Sequence, residues 1–136
     1  MTDDPHASVD GREIKAQLFG RERAFANRPI TEELAPLVKE ISDDVLWAKV
    51  WAEPTLDVRT RSIVTITTLL ALERYDYAEL HLHGARRLGV TREELVQVAI
   101  QMLFYAGLPV IHTALRLISR VFDADPEDLP KFPSQK

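Results

Sequence analysis

The chain has 136 residues, 46% of them hydrophobic, which is the size of one domain and enough apolar material for a core rather than a disordered segment. A net charge of −4 and a pI near 5.6 give no electrostatic footprint for nucleic acid, and no apolar run reaches the ~18 residues a membrane span needs, the longest (95 to 111) being broken by Gln97, Gln101 and Pro109. The absence of cysteine excludes disulfides, thiolate metal sites and thiol catalysis, and an acidic N-terminus without an apolar signal segment makes the cytoplasm the expected compartment.

Residues 1–28 are polar and lack sustained periodicity, so they read as a flexible arm with a short helix around Arg12 to Phe19. Thr31 can cap a helix that begins at Glu32 and carries Leu34, Leu37, Val38 and Ile41 on one face. Ser42 or Asp43 can cap the next, with Leu46, Trp47, Val50 and Trp51 apolar and Pro54 as its stop. Asp57 is placed to cap a long helix from Val58 to about Glu73. The run Ser62 to Thr68 is rich in β-branched residues, but the apolar stretch exceeds a typical strand and no turn residues bound a hairpin, so helix is preferred. Asp76 with Glu79 resembles a capping box for Tyr77 to Leu88, and Gly89 suits the left-handed position beyond it. Thr91 with Glu94 forms a second box opening Arg92 to Ala106. Gly107 ends that helix, and Pro109 suits the first turn of the last one, to Phe122. Three prolines after Asp123 predict an extended tail, residues 124–136, which leaves 29–123 as the folded domain.

The reading is therefore all-α, a single-domain bundle of about six helices. Two of them are apolar on nearly every face: Ile63, Val64, Ile66, Leu69, Leu70 and Leu72 on one, Val96, Val98, Ile100, Met102, Leu103 and Phe104 on the other. A helix of that kind belongs in the centre of a core. A small domain has room for about one, so the second predicts packing against another copy of the chain.

Several pieces in fixed order resemble the carboxymuconolactone decarboxylase family: Trp51 through Ser62, the helix ending Leu70-Ala71-Leu72, His81-Leu82, Gly89 to Glu94, and Tyr105-Ala106-Gly107-Leu108-Pro109. The resemblance covers about 70 residues, roughly half the chain, and it rests on the ordered set rather than on any one piece. It implies the alkylhydroperoxidase D-like helical fold and assembly as a homotrimer or homohexamer. The peroxidase branch of the family uses a Cys-x-x-Cys-x-x-x-His motif with an upstream glutamate. Placing its histidine on His81 puts those positions at Arg74, Tyr77 and Ser62, so that chemistry is excluded. The γ-carboxymuconolactone decarboxylase-like branch loses CO2 from a small lactone acid without metal or organic cofactor. This chain has that branch's Arg-x-Arg-Ser (Arg59, Arg61, Ser62) and its His-Leu, but carries Asp76 and Tyr77 where a Glu-Glu pair is usual and His83 where arginine is usual.

These residues suit proton transfer beside a stabilised carbanion. A histidine titrates near neutrality, and an arginine holds a carboxylate by two parallel hydrogen bonds or stabilises an enolate. His81 and His83 are two apart on a helix and cannot share a face. His81 aligns with Ala78 and Ala85 and is read as inward; His83 aligns with Glu79 and Arg87 and is read as solvated. His81 and Arg61 are thus the expected catalytic pair, with Arg59, Tyr77 and His112 as substrate contacts. The plainer readings are a core histidine bonded to a backbone carbonyl, salt bridges from Arg59 and Arg61 to Glu53 or Asp57, a cap at Asp76, and a surface or interface role for His112. No metal is expected, because the two histidines lack the three- or four-residue spacing of a helical metal site. The expected partner is a small-molecule substrate, with no nucleic acid and no membrane. The function is a cofactor-free lyase acting on a small organic acid or lactone. An isomerase, cyclase or carbon–carbon lyase of the same fold, or a non-catalytic ligand-binding or scaffolding oligomer, are the alternatives.

Overall fold

A computed structural model describes residues 9–26 and 33–130, and every regular element among them is helical, seven α-helices and one π-helical segment. The chain, expected as one domain, divides into two compact units, residues 1–58 and 59–136.

The first unit contains α1 (Gly11–Phe19), α2 (Arg21–Ala24), α3 (Pro36–Glu40) and the π-helical segment Ile41–Trp51. The stretch read as a flexible arm holds α1 and α2, and it packs: Leu18, Phe19 and Ala24 are buried. Asp10 starts α1 by accepting a hydrogen bond from the Arg12 amide at 3.0 Å, and Gly20, at φ 83°, turns the chain between α1 and α2. Phe19 meets Trp47 edge-on, and Trp47 stacks on Trp51 with ring centroids 4.7 Å apart. Gly11 lies so close to the π segment that a Cβ there would sit 2.2 Å from the Asp43 carbonyl oxygen and 2.7 Å from the Ala48 nitrogen. The predicted cap at Thr31 and the start at Glu32 lie outside the described residues. The restart at Ser42 or Asp43 is a correction: α3 runs directly into the π segment, its last residue, Glu40, being helical. Ser42 and Asp43 have capping chemistry, but a helix that never breaks offers them no free amides to cap.

The second unit contains α4, which begins at Val58 (Val58–Ala71), α5 (Tyr75–Arg87), α6 (Arg92–Ala106) and α7 (Leu108–Asp123). The β-branched run is helical, as preferred. Three of its threonines return their hydroxyls to the carbonyl one turn back: Thr65 to Arg61, Thr67 to Ile63 and Thr68 to Val64, at 2.8–2.9 Å. Asp76 does not cap α5. That helix starts two residues earlier than predicted, at Tyr75 after Arg74, with no side-chain cap, and Asp76 falls in its first turn. The left-handed Glu73 (φ 58°) makes the early start possible by turning the chain after α4. The Thr91–Glu94 box is formed in both directions, at 3.1 and 3.2 Å, and Gly89 and Gly107 both take positive φ. Beyond Asp123 the described residues are irregular, and Arg86 fastens that end of α7 by donating to the Val121 and Ala124 carbonyls, both at 2.9 Å, with its guanidinium over the Phe122 ring.

The core of this unit joins Ile66 and Leu70 of α4, Ala78, Leu82 and Ala85 of α5, Leu95, Ala99 and Met102 of α6, and Ile111, Ala114, Leu117, Ile118 and Val121 of α7. The sequence nominates one of α4 and α6 as the enclosed helix and the other for packing against a second copy; within this chain it is α5 that is buried on the most sides. Ala78, Leu80, Leu82, His83, Gly84 and Ala85 are all buried, and at 100° per residue they occupy every side of the helix. By contrast α4 and α6 leave Val64, Leu72, Ile100 and Phe104 exposed, and Phe104 and Tyr105 are 93% and 85% exposed.

Candidate functional site

His81 sits in the second half of α5, where that helix is enclosed. The ring is partly buried and its Nδ1 atom is sealed from solvent. Burial pushes its pKa down from 6.5 to about 4, since a cation there would lose its hydration. At neutral pH the ring is therefore an uncharged imidazole, able to accept a proton but not stored as an acid.

His83 is a correction to the sequence reading. It is 4% exposed, so its position on the stripe assigned to solvent is interior, although Arg87 one turn on is exposed. The inference failed because it assumed one inward face on α5; Leu80 and Gly84 are buried on the remaining sides and leave little solvated surface at that level. Tyr77 lies one turn before His81 on the same face, at the exposed N-terminal end of α5. His112 is exposed on the first turn of α7.

Arg61 and Arg59 lie on the first turn of α4, both partly buried. Arg59 is paired with the Glu94 carboxylate, and that guanidinium, ahead of the Thr91 amide, holds the Glu94 carboxyl below the usual range. The pair joins the start of α4 to the start of α6, so the salt-bridge reading of Arg59 was right in kind, with Glu94 rather than Glu53 or Asp57 as the partner. A cleft of about 580 Å3 opens between α4 and α6, with Ile63, Val98 and Met102 as its apolar floor and Thr67, Glu93, Glu94, Gln97 and Gln101 around them. Its lining takes in Arg59's partner but neither His81 nor Arg61.

Ser62, present in the Arg-x-Arg-Ser motif but given no role from sequence, is fully buried on the face of α4 that carries Ile66 and Leu70. The signal available was position: it falls four residues before Ile66, on the stripe that faces the core. Among the described residues no group of three or more His, Asp or Glu side chains is placed to hold a metal ion, and no described helix is long and apolar enough to cross a membrane.

Comparison with known proteins places these features in context. Residues 36–120 match the family described as the Carboxymuconolactone decarboxylase family. A 4-carboxymuconolactone decarboxylase of Acinetobacter baylyi is 32% identical over 112 residues, covering 82% of this chain and 84% of that protein. A nitrosuccinic acid decarboxylase of Metarhizium robertsii is 30% identical over 104 residues, 74% of this chain and 70% of its own. An uncharacterized 15.0 kDa protein of Paracoccus denitrificans is 27% identical over 119 residues, 80% of this chain and 89% of its own.

Proposed function

Because the chain belongs to the carboxymuconolactone decarboxylase family, we propose that it is a lyase that removes CO2 from a small organic acid, with His81 as the proton-transfer group and Arg61 as the carboxylate ligand. The observation that carries this reading is the desolvated, neutral imidazole of His81 in a unit whose relatives include two named decarboxylases. Both relatives are named for an acid bearing an electron-withdrawing group, a lactone carbonyl in one and a nitro group in the other. Such a group supplies the electron sink. The bond to the carboxylate carbon breaks, CO2 leaves, and the electron pair moves onto the carbonyl or nitro oxygens. A proton relayed from water through the imidazole then ends on carbon. The ring takes on that proton as negative charge builds beside it, which reverses part of the burial penalty on its cationic form. Arg61 would orient the acid by a two-point contact, and Tyr77, on the His81 face one turn away, would contact the substrate from the exposed side. No organic cofactor is needed when the substrate carries its own sink.

The same reading includes self-association as a homotrimer or homohexamer. Its support is the apolar excess on the outer faces of α4 and α6, ending in the almost fully exposed Phe104 and Tyr105. The test of the activity is CO2 release from a panel of small lactone, keto and nitro acids, including 4-carboxymuconolactone and nitrosuccinic acid, with His81→Ala as the control. Wild-type turnover lost in the variant is the expected result. Equal turnover in both proteins would remove His81 from the mechanism.

A further inference from the structure

The hydroxyls of α4 behave in two ways. Those of Thr65, Thr67 and Thr68 each bond to the carbonyl one turn back, which satisfies them inside the helix. Ser62 has the same option, because the Val58 carbonyl lies four residues behind it in the same helix. It does not take it. Its Oγ is fully buried and has no hydrogen-bond partner. The two partly exposed threonines and the exposed Thr68 are satisfied, while the one hydroxyl sealed from water is not. A buried hydroxyl without a partner opposes folding, and an alanine would fill the same place on the Ser62–Ile66–Leu70 stripe with no polar group to satisfy. A polar side chain kept at such a position points to a partner that is not part of the chain.

The surroundings indicate the chemistry of that partner. Helical side chains lean toward the N-terminus of their helix, so the hydroxyl of Ser62 covers the first turn of α4. The N-terminal turn of a helix is the end where its dipole favours negative charge. Arg61, next to Ser62, adds a cation, and both it and Arg59 are partly exposed at the same end of the helix. We propose that the Ser62 hydroxyl donates a hydrogen bond to a carboxylate of the bound acid at the N-terminal turn of α4. The assignment rests on the reading that the protein binds small organic acids, and it adds a neutral donor to the charge supplied by Arg61.

The experiment compares wild type, Ser62→Ala and Thr65→Val by thermal unfolding and by calorimetric titration with succinate, 4-carboxymuconolactone and nitrosuccinic acid. Ser62→Ala is expected to unfold at the wild-type temperature or above, and to bind the acids about tenfold to a hundredfold more weakly, the loss that follows removal of one hydrogen bond to a charged group. Thr65→Val, which removes a hydroxyl already satisfied by Arg61, is expected to bind as wild type does. A lower unfolding temperature in Ser62→Ala would show that the hydroxyl is satisfied within the folded chain and would overturn the assignment. Unchanged affinity in Ser62→Ala, or no binding of any of the three acids to wild type, would overturn it as well. CO2 release is not read in this experiment. A protein that binds acids through Ser62 without decarboxylating them would keep the assignment and fail only the lyase reading.

Discussion

Lowering the pH from 7 toward 4 should destabilise this protein through His81 in a way that one substitution removes. In the folded chain, burial holds the ring's pKa at about 4, against 6.5 for an unperturbed histidine. The unfolded chain therefore takes up a proton as the pH falls below 6.5, while the folded chain resists doing so until about 4. Protons bind preferentially to the unfolded state throughout that interval, so stability rises with pH across it and is lost as the pH drops. At about 1.4 kcal/mol per pH unit, the interval amounts to at most about 3 kcal/mol, a large fraction of the 5–15 kcal/mol by which typical domains are stable. The assay is urea unfolding of wild type and His81→Gln at half-unit steps from pH 4 to 7.5, at one fixed protein concentration. The two stabilities should differ by a constant amount above pH 6.5. Below it the wild type should fall away from the variant by up to the calculated figure, levelling near pH 4. The low-pKa carboxyls of Glu94 and Asp10 titrate equally in both proteins and cancel in the difference. Parallel curves over the whole range, or a His81 ring that titrates near 6.5 by NMR, would refute the argument that this imidazole is desolvated.

Other outcomes follow from packing. Leu82→Ala in the enclosed part of α5 should cost about 2–5 kcal/mol in urea unfolding, because the side chain is fully buried within the core cluster and its removal leaves a cavity; a cost below 1 kcal/mol would contradict its burial in the core. Gly11→Ala should lower the unfolding temperature by several degrees and weaken the near-ultraviolet circular dichroism of Trp47 and Trp51, since the added methyl would displace α1 from the π segment. An unchanged tryptophan spectrum would show that the approach is looser than the geometry indicates. Phe104→Asp should convert a homo-oligomer to smaller species in multi-angle light scattering with little change in helical content. A wild type that is already monomeric at micromolar concentration would remove the self-association proposal altogether.

The helical fold and its punctuation were largely legible in the sequence. Thr91 with Glu94, and the glycines at 89 and 107, act through local chemistry that depends on residue type and spacing alone, and each stands in the structure as read. Local chemistry also misled. Asp76 and Ser42 are good caps that no helix start uses, because a left-handed Glu73 moved one start and an unbroken π segment abolished the other. A π segment has no residue preference strong enough to separate it from an α-helix in a sequence. The site was legible only in part. His81 is nominated by spacing and resemblance, and burial of its ring lowers its pKa. His83 was misplaced because a two-sided helix was treated as one-sided. The partner of Arg59 lies 35 residues away along the chain, a distance at which no periodicity argument operates. The isolation of the Ser62 hydroxyl is a statement about missing atoms around it, which a linear pattern does not encode.

Glu94 has divided loyalties: one carboxylate oxygen receives the Thr91 amide at the start of α6, and the other receives Arg59 from α4. Any lineage that frees this arginine for a new ligand by altering Glu94 must also reseat a helix start, so the two traits are inherited together. A change of specificity made through Glu94 therefore carries its cost at the α6 start within the same substitution.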